Sequence, residues 1–215
     1  MTAGFSAQQQ AWQKLVEQPL AFVEARRLRE CWPQTLTDQQ HAALCSAPRF
    51  QSRLLQLLMG HFHLQQLAQI PSPTEQDLPV LLLSPGDFMR LPRVCGAIWH
   101  AATLSREIRS DVVNQMRALL GAEVFALALA HRSLAGAADL LRQPADLVEA
   151  IDRDGASCVA AWLQTQPAAL RDWLRLRLPM PQLGNPQASV PQTAMDLDIV
   201  RHAAATFDQF AEEVA

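Results

Sequence analysis

Apolar residues recur at a helical period along most of the chain, and prolines mark the interruptions. The clearest segment is Ser110 to Gly121. Ser110 reads as an N-cap and Asp111 places negative charge in the first turn. Val112, Val113, Met116, Leu119 and Leu120 form one stripe, and Gly121 supplies a left-handed stop. Glu123 to His131 follows as a short helix that is apolar almost all round, with Val124, Phe125, Leu127 and Leu129, which predicts an interior position. Pro19 and Pro48 sit where a first helical turn tolerates proline and predict helices over about 20 to 31 and 49 to 69. Thr37 and Asp38 begin a shorter helix ending near Ser46.

From Ile70 to Leu78 the chain turns to Pro, Ser, Thr and acid, the composition of an exposed connection. Pro79 to Leu83 reads as one short strand or an extended lead-in, although a lone strand has no sheet to join. Ser84-Pro85-Gly86-Asp87 then reads as an N-cap, a proline at the first helical position and an early acid, opening a helix through Leu104 that Pro92 kinks or splits.

In the last third, Asp154-Gly155 opens a helical pattern. Val159, Trp162, Leu163, Leu170, Trp173 and Leu174 stay in phase across Pro167, as two coaxial or gently kinked helices would. Leu178 to Met195, uncharged and carrying Pro179, Pro181, Pro186 and Pro191, reads as an irregular linker. A last helix begins near Thr193, with Leu197, Val200, Ala204, Phe207, Phe210 and Val214 as its stripe. No repeat of 20 to 50 residues is evident.

Composition sharpens the fold class. The 215 residues include 32 Leu and 34 Ala against 12 Val, 5 Ile, 8 Thr and no Tyr, a helix former's alphabet, and the 8 glycines are too few for many hairpins. The expectation is all-α: one compact multi-helix domain over 1–215, with short helices, a Pro-rich C-terminal connection and a possible N-terminal subdomain over 1–70. A net charge of -3 and pI near 6.0 argue against nucleic acid as partner. The run Leu54 to Thr74 is free of charge but carries Gln56, Gln65, Gln66, Gln69, His61 and His63, which favours a buried helix over a membrane segment. With no secretory signal at the N-terminus, the reading is cytoplasmic, with reduced thiols.

Candidate chemistry is sparse. There is no phosphate-binding glycine loop, no nucleophile elbow and no H-E-x-x-H, and the expectation is no enzyme, no cofactor and no metal. His41 and Cys45 share a helix face at i, i+4, but two ligands do not make a metal site. Cys95 and His100 form a conceivable nucleophile and base, against which the apolar neighbours Val94, Ala97, Ile98 and Leu104 argue for packing. Asp152 with Asp154, and Asp196 with Asp198, are explained most simply as acids in or just before a first helical turn.

Two features suit a protein partner. Arg171, Arg175 and Arg177 flank Trp173 as a compact basic patch, or else they complement a helix C-terminus while Trp173 is core. On the patch reading, glutamates at the three arginines weaken a partner contact and leave the helical circular dichroism unchanged. The terminal helix, with Phe207 and Phe210, either docks on a partner or closes the domain's own core.

From Leu91 onward, over about the last 125 residues, the chain is similar in order and character to a known family. The blocks are LPRVCGAIWHAATLSREI, VVNQMRALLGAEVFALALAHR and GASCVAAWLQTQPAALRDWLRLRLPMP. They resemble the sorting-platform adaptor of bacterial type III secretion injectisomes, the SctK or YscK family. That resemblance implies a non-enzymatic, all-helical adaptor at the base of the injectisome, peripheral to the inner membrane and not inserted in it. It would link the cytoplasmic domain of the inner-membrane ring protein (SctD type) to the pod protein (SctQ type), for assembly and protein export. The competing readings are a type III secretion chaperone or regulator holding an exported protein, and a small helical enzyme with a thiol site at Cys95.

Overall fold

The computed structural model describes residues 6–32, 36–137, 143–177 and 194–213, without the side chains of residue 38 and of residues 194–196 and 208–213. The described residues are helical, with twelve α-helices, short 3-10 turns and no strand, so the fold is all-α. The Pro-rich connection lies outside the described residues between 178 and 193. Contacts divide the chain into two compact units, residues 1–85 with 166–180, and residues 86–165 with 181–215.

In the first unit, helix α1 (Ala7–Glu17) has no counterpart among the segments expected from apolar period; its stripe is short, Trp12, Leu15 and Val16, and only Trp12 is fully buried. Its signal is a capping box: Ser6 Oγ accepts from the Gln9 backbone N–H at 3.2 Å and Gln9 Oε1 accepts from the Ser6 N–H at 3.0 Å. The helix expected over 20 to 31 is broken. Pro19–Phe22 is one 3-10 turn, Val23 is extended, and α2 covers only Ala25–Glu30. Phe22, at the end of the turn, and Val23, at the extended step, are both buried.

Helix α3 (Asp38–Ser46) has the expected start, with a second capping box from Thr37 and Gln40. The expected helix over 49 to 69 is shorter. A 3-10 turn at Pro48–Phe50 leads into α4 (Gln51–Phe62), which stops at His63 in the left-handed region (φ 53°), where the Leu64 N–H closes on Met59 O at 2.9 Å. Leu64, Leu67 and Ile70 are then buried from a path outside the α-helix that includes one 3-10 turn, Leu67–Gln69. Gly60 lies in α4 with open space where a Cβ would stand. Gly60→Ala is therefore expected to stabilise the protein by about 0.5–1 kcal/mol in urea unfolding.

Pro79 to Leu83 is not a strand. Leu78–Leu82 is a short helix, α5, against α1, with Pro79 in its first turn and Leu78, Val80 and Leu81 buried. A continuous apolar run is ambiguous by period alone, and an isolated strand would leave its backbone groups unpaired.

In the second unit, α6 (Pro85–Trp99) runs through Pro92, and the interruption falls at His100, after which α7 (Ala101–Arg106) resumes. Ser110 is the first residue of α8 (Ser110–Leu120) and not its cap, which is Arg109 and makes no side-chain capping bond. Met116 and Leu120 are buried there, whereas Leu119, expected on the stripe, is 45% exposed. Gly121 (φ 91°) ends α8 and lets α9 (Ala122–Ala130) leave at a bend of 109°. Helix α9 is not interior throughout: Phe125 and Ala128 are buried while Ala122, Glu123, Ala126 and Ala130 face solvent.

Helix α10 (Pro144–Thr165) begins well before Asp154-Gly155, and both residues lie in its middle. It packs along α12 (Ala194–Glu213), whose buried residues include Ile199, Val200, Ala203, Ala204 and Phe207. Gly155 and Gly96 bring α6 and α10 into backbone contact: a Cβ on Gly155 would fall on the Pro92 carbonyl oxygen, and one on Gly96 on that of Ile151. Helix α11 (Ala168–Arg175) belongs to the first unit. No single described helix is long and apolar enough to cross a membrane, although α8 and α9 pass that test together as a bent pair.

Candidate functional site

The basic patch expected around Trp173 is not a surface feature. Trp173 is fully buried and donates its indole N–H to Gln65 O at 2.8 Å. Arg177, 4% exposed, donates from Nε to Phe22 O at 3.0 Å and from Nη1 to Leu81 O at 2.8 Å, with its guanidinium 4.0 Å from the centre of the Phe22 ring. Burial lowers its pKa to about 10, so it is still protonated at neutral pH. A guanidinium enters a core when its planar fork meets fixed carbonyls and its face meets an aromatic ring, and here both conditions hold. Arg171 is half-buried, and Arg175 alone of the three is exposed, paired with Asp172 at 3.1 Å. Glutamate at all three positions would therefore disrupt the unit's core as well as any surface.

In the terminal helix Phe207 is buried, with the Arg90 guanidinium 5.6 Å from its ring centre. The side chain of Phe210 lies outside the described residues, as does that of Asp196.

Cys95 and His100 do not form a nucleophile and base. Cys95 is fully buried, and burial first, then the neighbouring Cys158, pushes its thiol pKa well up, the opposite of what a thiolate needs. His100, also buried, places Nε2 2.9 Å from Asp154 Oδ2. Asp152 and Asp154 are not helix-start acids. From mid-α10, Asp152 takes a bidentate bond from Arg93 on α6 (2.8 and 2.6 Å), while Asp154 meets His100 and Arg153. His41 shares α3 with Cys45 and lies edge-on to Trp32 at 5.1 Å, and no metal-sized group of three His, Cys, Asp or Glu side chains occurs among the described residues.

Burial alone would raise the Asp154 pKa, but the bonds and charges of Arg153 and His100 outweigh it and the net shift is downward. A carboxyl with a depressed folded pKa stabilises the fold above its unfolded pKa, near 4, and loses that contribution as pH falls through the folded value. Asp154→Asn is thus expected to lower stability at neutral pH and to narrow its deficit relative to wild type below about pH 4. Urea unfolding across that range checks it, and a deficit independent of pH would contradict the assignment.

An open feature of mixed chemistry lies in the second unit, a cleft of about 300 Å³ between α7, α8 and α9. Its floor is Leu104, Val113, Phe125 and Leu129, lying over a buried cluster that includes Met116, Leu120 and Ile151. Arg117 and Arg132 stand at its edge, Arg117 with its guanidinium 5.4 Å from the Phe125 ring centre. Glu107 contributes a carboxylate to the wall, clamped by Arg109 through Nε at 3.0 Å, Nη2 at 2.8 Å and its backbone N–H at 2.9 Å. Those bonds hold the Glu107 carboxyl at about 2, so it stays ionised and already paired. Ile108, between the clamp residues, is 90% exposed. None of these residues was singled out by sequence for partner contact. The available signal was Gly121, whose positive φ makes the bend that opens the cleft.

Over 133 residues, 61% of its length, the chain is 31% identical to the nodulation protein NolU of Rhizobium fredii. The similarity to NolU of Sinorhizobium fredii is the same. The chain spans 58% of the length of these curated relatives. No family model matches it, and no solved structure matches it significantly.

Proposed function

We propose that the chain is a non-enzymatic cytoplasmic adaptor of a type III secretion apparatus, joining the cytoplasmic domain of the inner-membrane ring protein (SctD type) to the sorting-platform pod protein (SctQ type). The coarser part, a type III secretion-related protein, rests on the distant similarity to the nodulation proteins, the observation that carries the reading. The finer part is supported by the order of the three blocks from Leu91 onward and by an all-helical fold with an open, chemically mixed cleft. In this role the chain acts by geometry. It offers separate surfaces to two proteins, and contacts that exchange should be modest in area and partly polar.

The test is reconstitution. The purified chain is mixed in turn with the ring protein's cytoplasmic domain and with the pod protein, and binding is followed by calorimetry and gel filtration. The expected result is a complex with each and a ternary complex with both. Binding to neither would sink the proposal, and binding only to an exported protein would replace it with a chaperone role.

A further inference from the structure

We infer that the cleft between α7, α8 and α9 docks a segment of a partner protein whose apolar side chains are flanked by carboxylates. The inference rests on the adaptor reading only for which protein supplies the segment. The floor is apolar and the mouth is open, which suits the side chains of an amphipathic segment. The charge at the mouth specifies the rest. Arg117 and Arg132 have no carboxylate partner among the described residues, while the acid of the wall, Glu107, is already satisfied by Arg109. The mouth therefore carries two cations on a chain whose net charge is -3, and its local potential favours a partner with carboxylates.

Ile108 adds a second observation. The Glu107–Arg109 clamp fixes the turn on either side of it and holds an aliphatic side chain in water beside the cleft. A docking segment would cover it. Two cations over an apolar floor suit a peptide better than a nucleic acid, which asks for a run of phosphate contacts.

The test uses three synthetic amphipathic peptides with the same leucine spacing, flanked by glutamate, glutamine or arginine, and the full chain. Fluorescence anisotropy is expected to show the glutamate peptide binding roughly tenfold more tightly than the glutamine peptide, and the arginine peptide not binding. The double variant R117E/R132E, altering two exposed side chains, is expected to keep its circular dichroism and melting temperature and to invert that order. Equal binding of the three peptides, binding of none, or an unchanged order in R117E/R132E would overturn the inference. These peptides come from no secretion protein, so the two readings fail separately. Peptide discrimination without ring or pod binding removes the adaptor role, and ring and pod binding without discrimination removes the cleft.

Discussion

Alanine at Gly155 is expected to destabilise the protein by about 3 kcal/mol, although the same change in an open helix stabilises it. Gly155 lies in the middle of a 22-residue helix, where propensity favours alanine by about 1 kcal/mol. The tertiary contact reverses the sign. The new methyl would fall on the carbonyl oxygen of Pro92 and crowd the backbone nitrogen of Gly96, and backbone atoms have no rotamer by which to yield. Helices α6 and α10 would have to separate, loosening the Arg93–Asp152 pair that bridges them and the His100–Asp154 pair just past the end of α6. Urea unfolding of Gly155→Ala beside Gly60→Ala is the decisive comparison, with opposite signs expected. A Gly155→Ala protein as stable as wild type would show that the two helices do not meet at their backbones.

Arg177→Ala is expected to cost about 3 kcal/mol, since two buried carbonyl oxygens, those of Phe22 and Leu81, lose their donors and each unsatisfied group costs about 1–3 kcal/mol. The Phe22 ring loses a guanidinium packed on its face as well. Arg177→Lys should recover little, because an ammonium has no planar fork with which to meet both carbonyls while stacking on the ring. Arg175→Ala, removing an exposed partner of Asp172, should change stability by less than about 0.5 kcal/mol. Equal, small effects at 175 and 177 would return Arg177 to the surface and restore the basic patch as a candidate.

The helical alphabet, the helix start at Thr37 and Asp38, the glycine stop at 121 and the apolar face of the terminal helix were all legible along the chain, because each is encoded within one or two turns. The box from Ser6 to Gln9 was equally local, but the stripe behind it is short, Trp12, Leu15 and Val16, with only Trp12 fully buried. Pro79 to Leu83 and His63 mark the limit of period counting. An apolar run buried all round looks alike as strand or helix, and a left-handed histidine interrupts an otherwise helical composition.

By itself the sequence determined the all-α class and the location of most helices, since propensity, capping and the 3.6-residue period act between near neighbours. Only the tertiary structure decided which polar and small residues those helices would enclose. Arg177 is read as a surface cation until carbonyls 155 and 96 positions away are brought to it. Gly155 is read as a helix opening until Pro92 of another helix is laid against it. The cleft arises in the same way, because its floor and the two cations of its mouth come from three helices and a turn whose convergence depends on the bend at Gly121. Burial and charge pairing are properties of neighbours in space, and no local period encodes neighbours that the chain brings together only by folding.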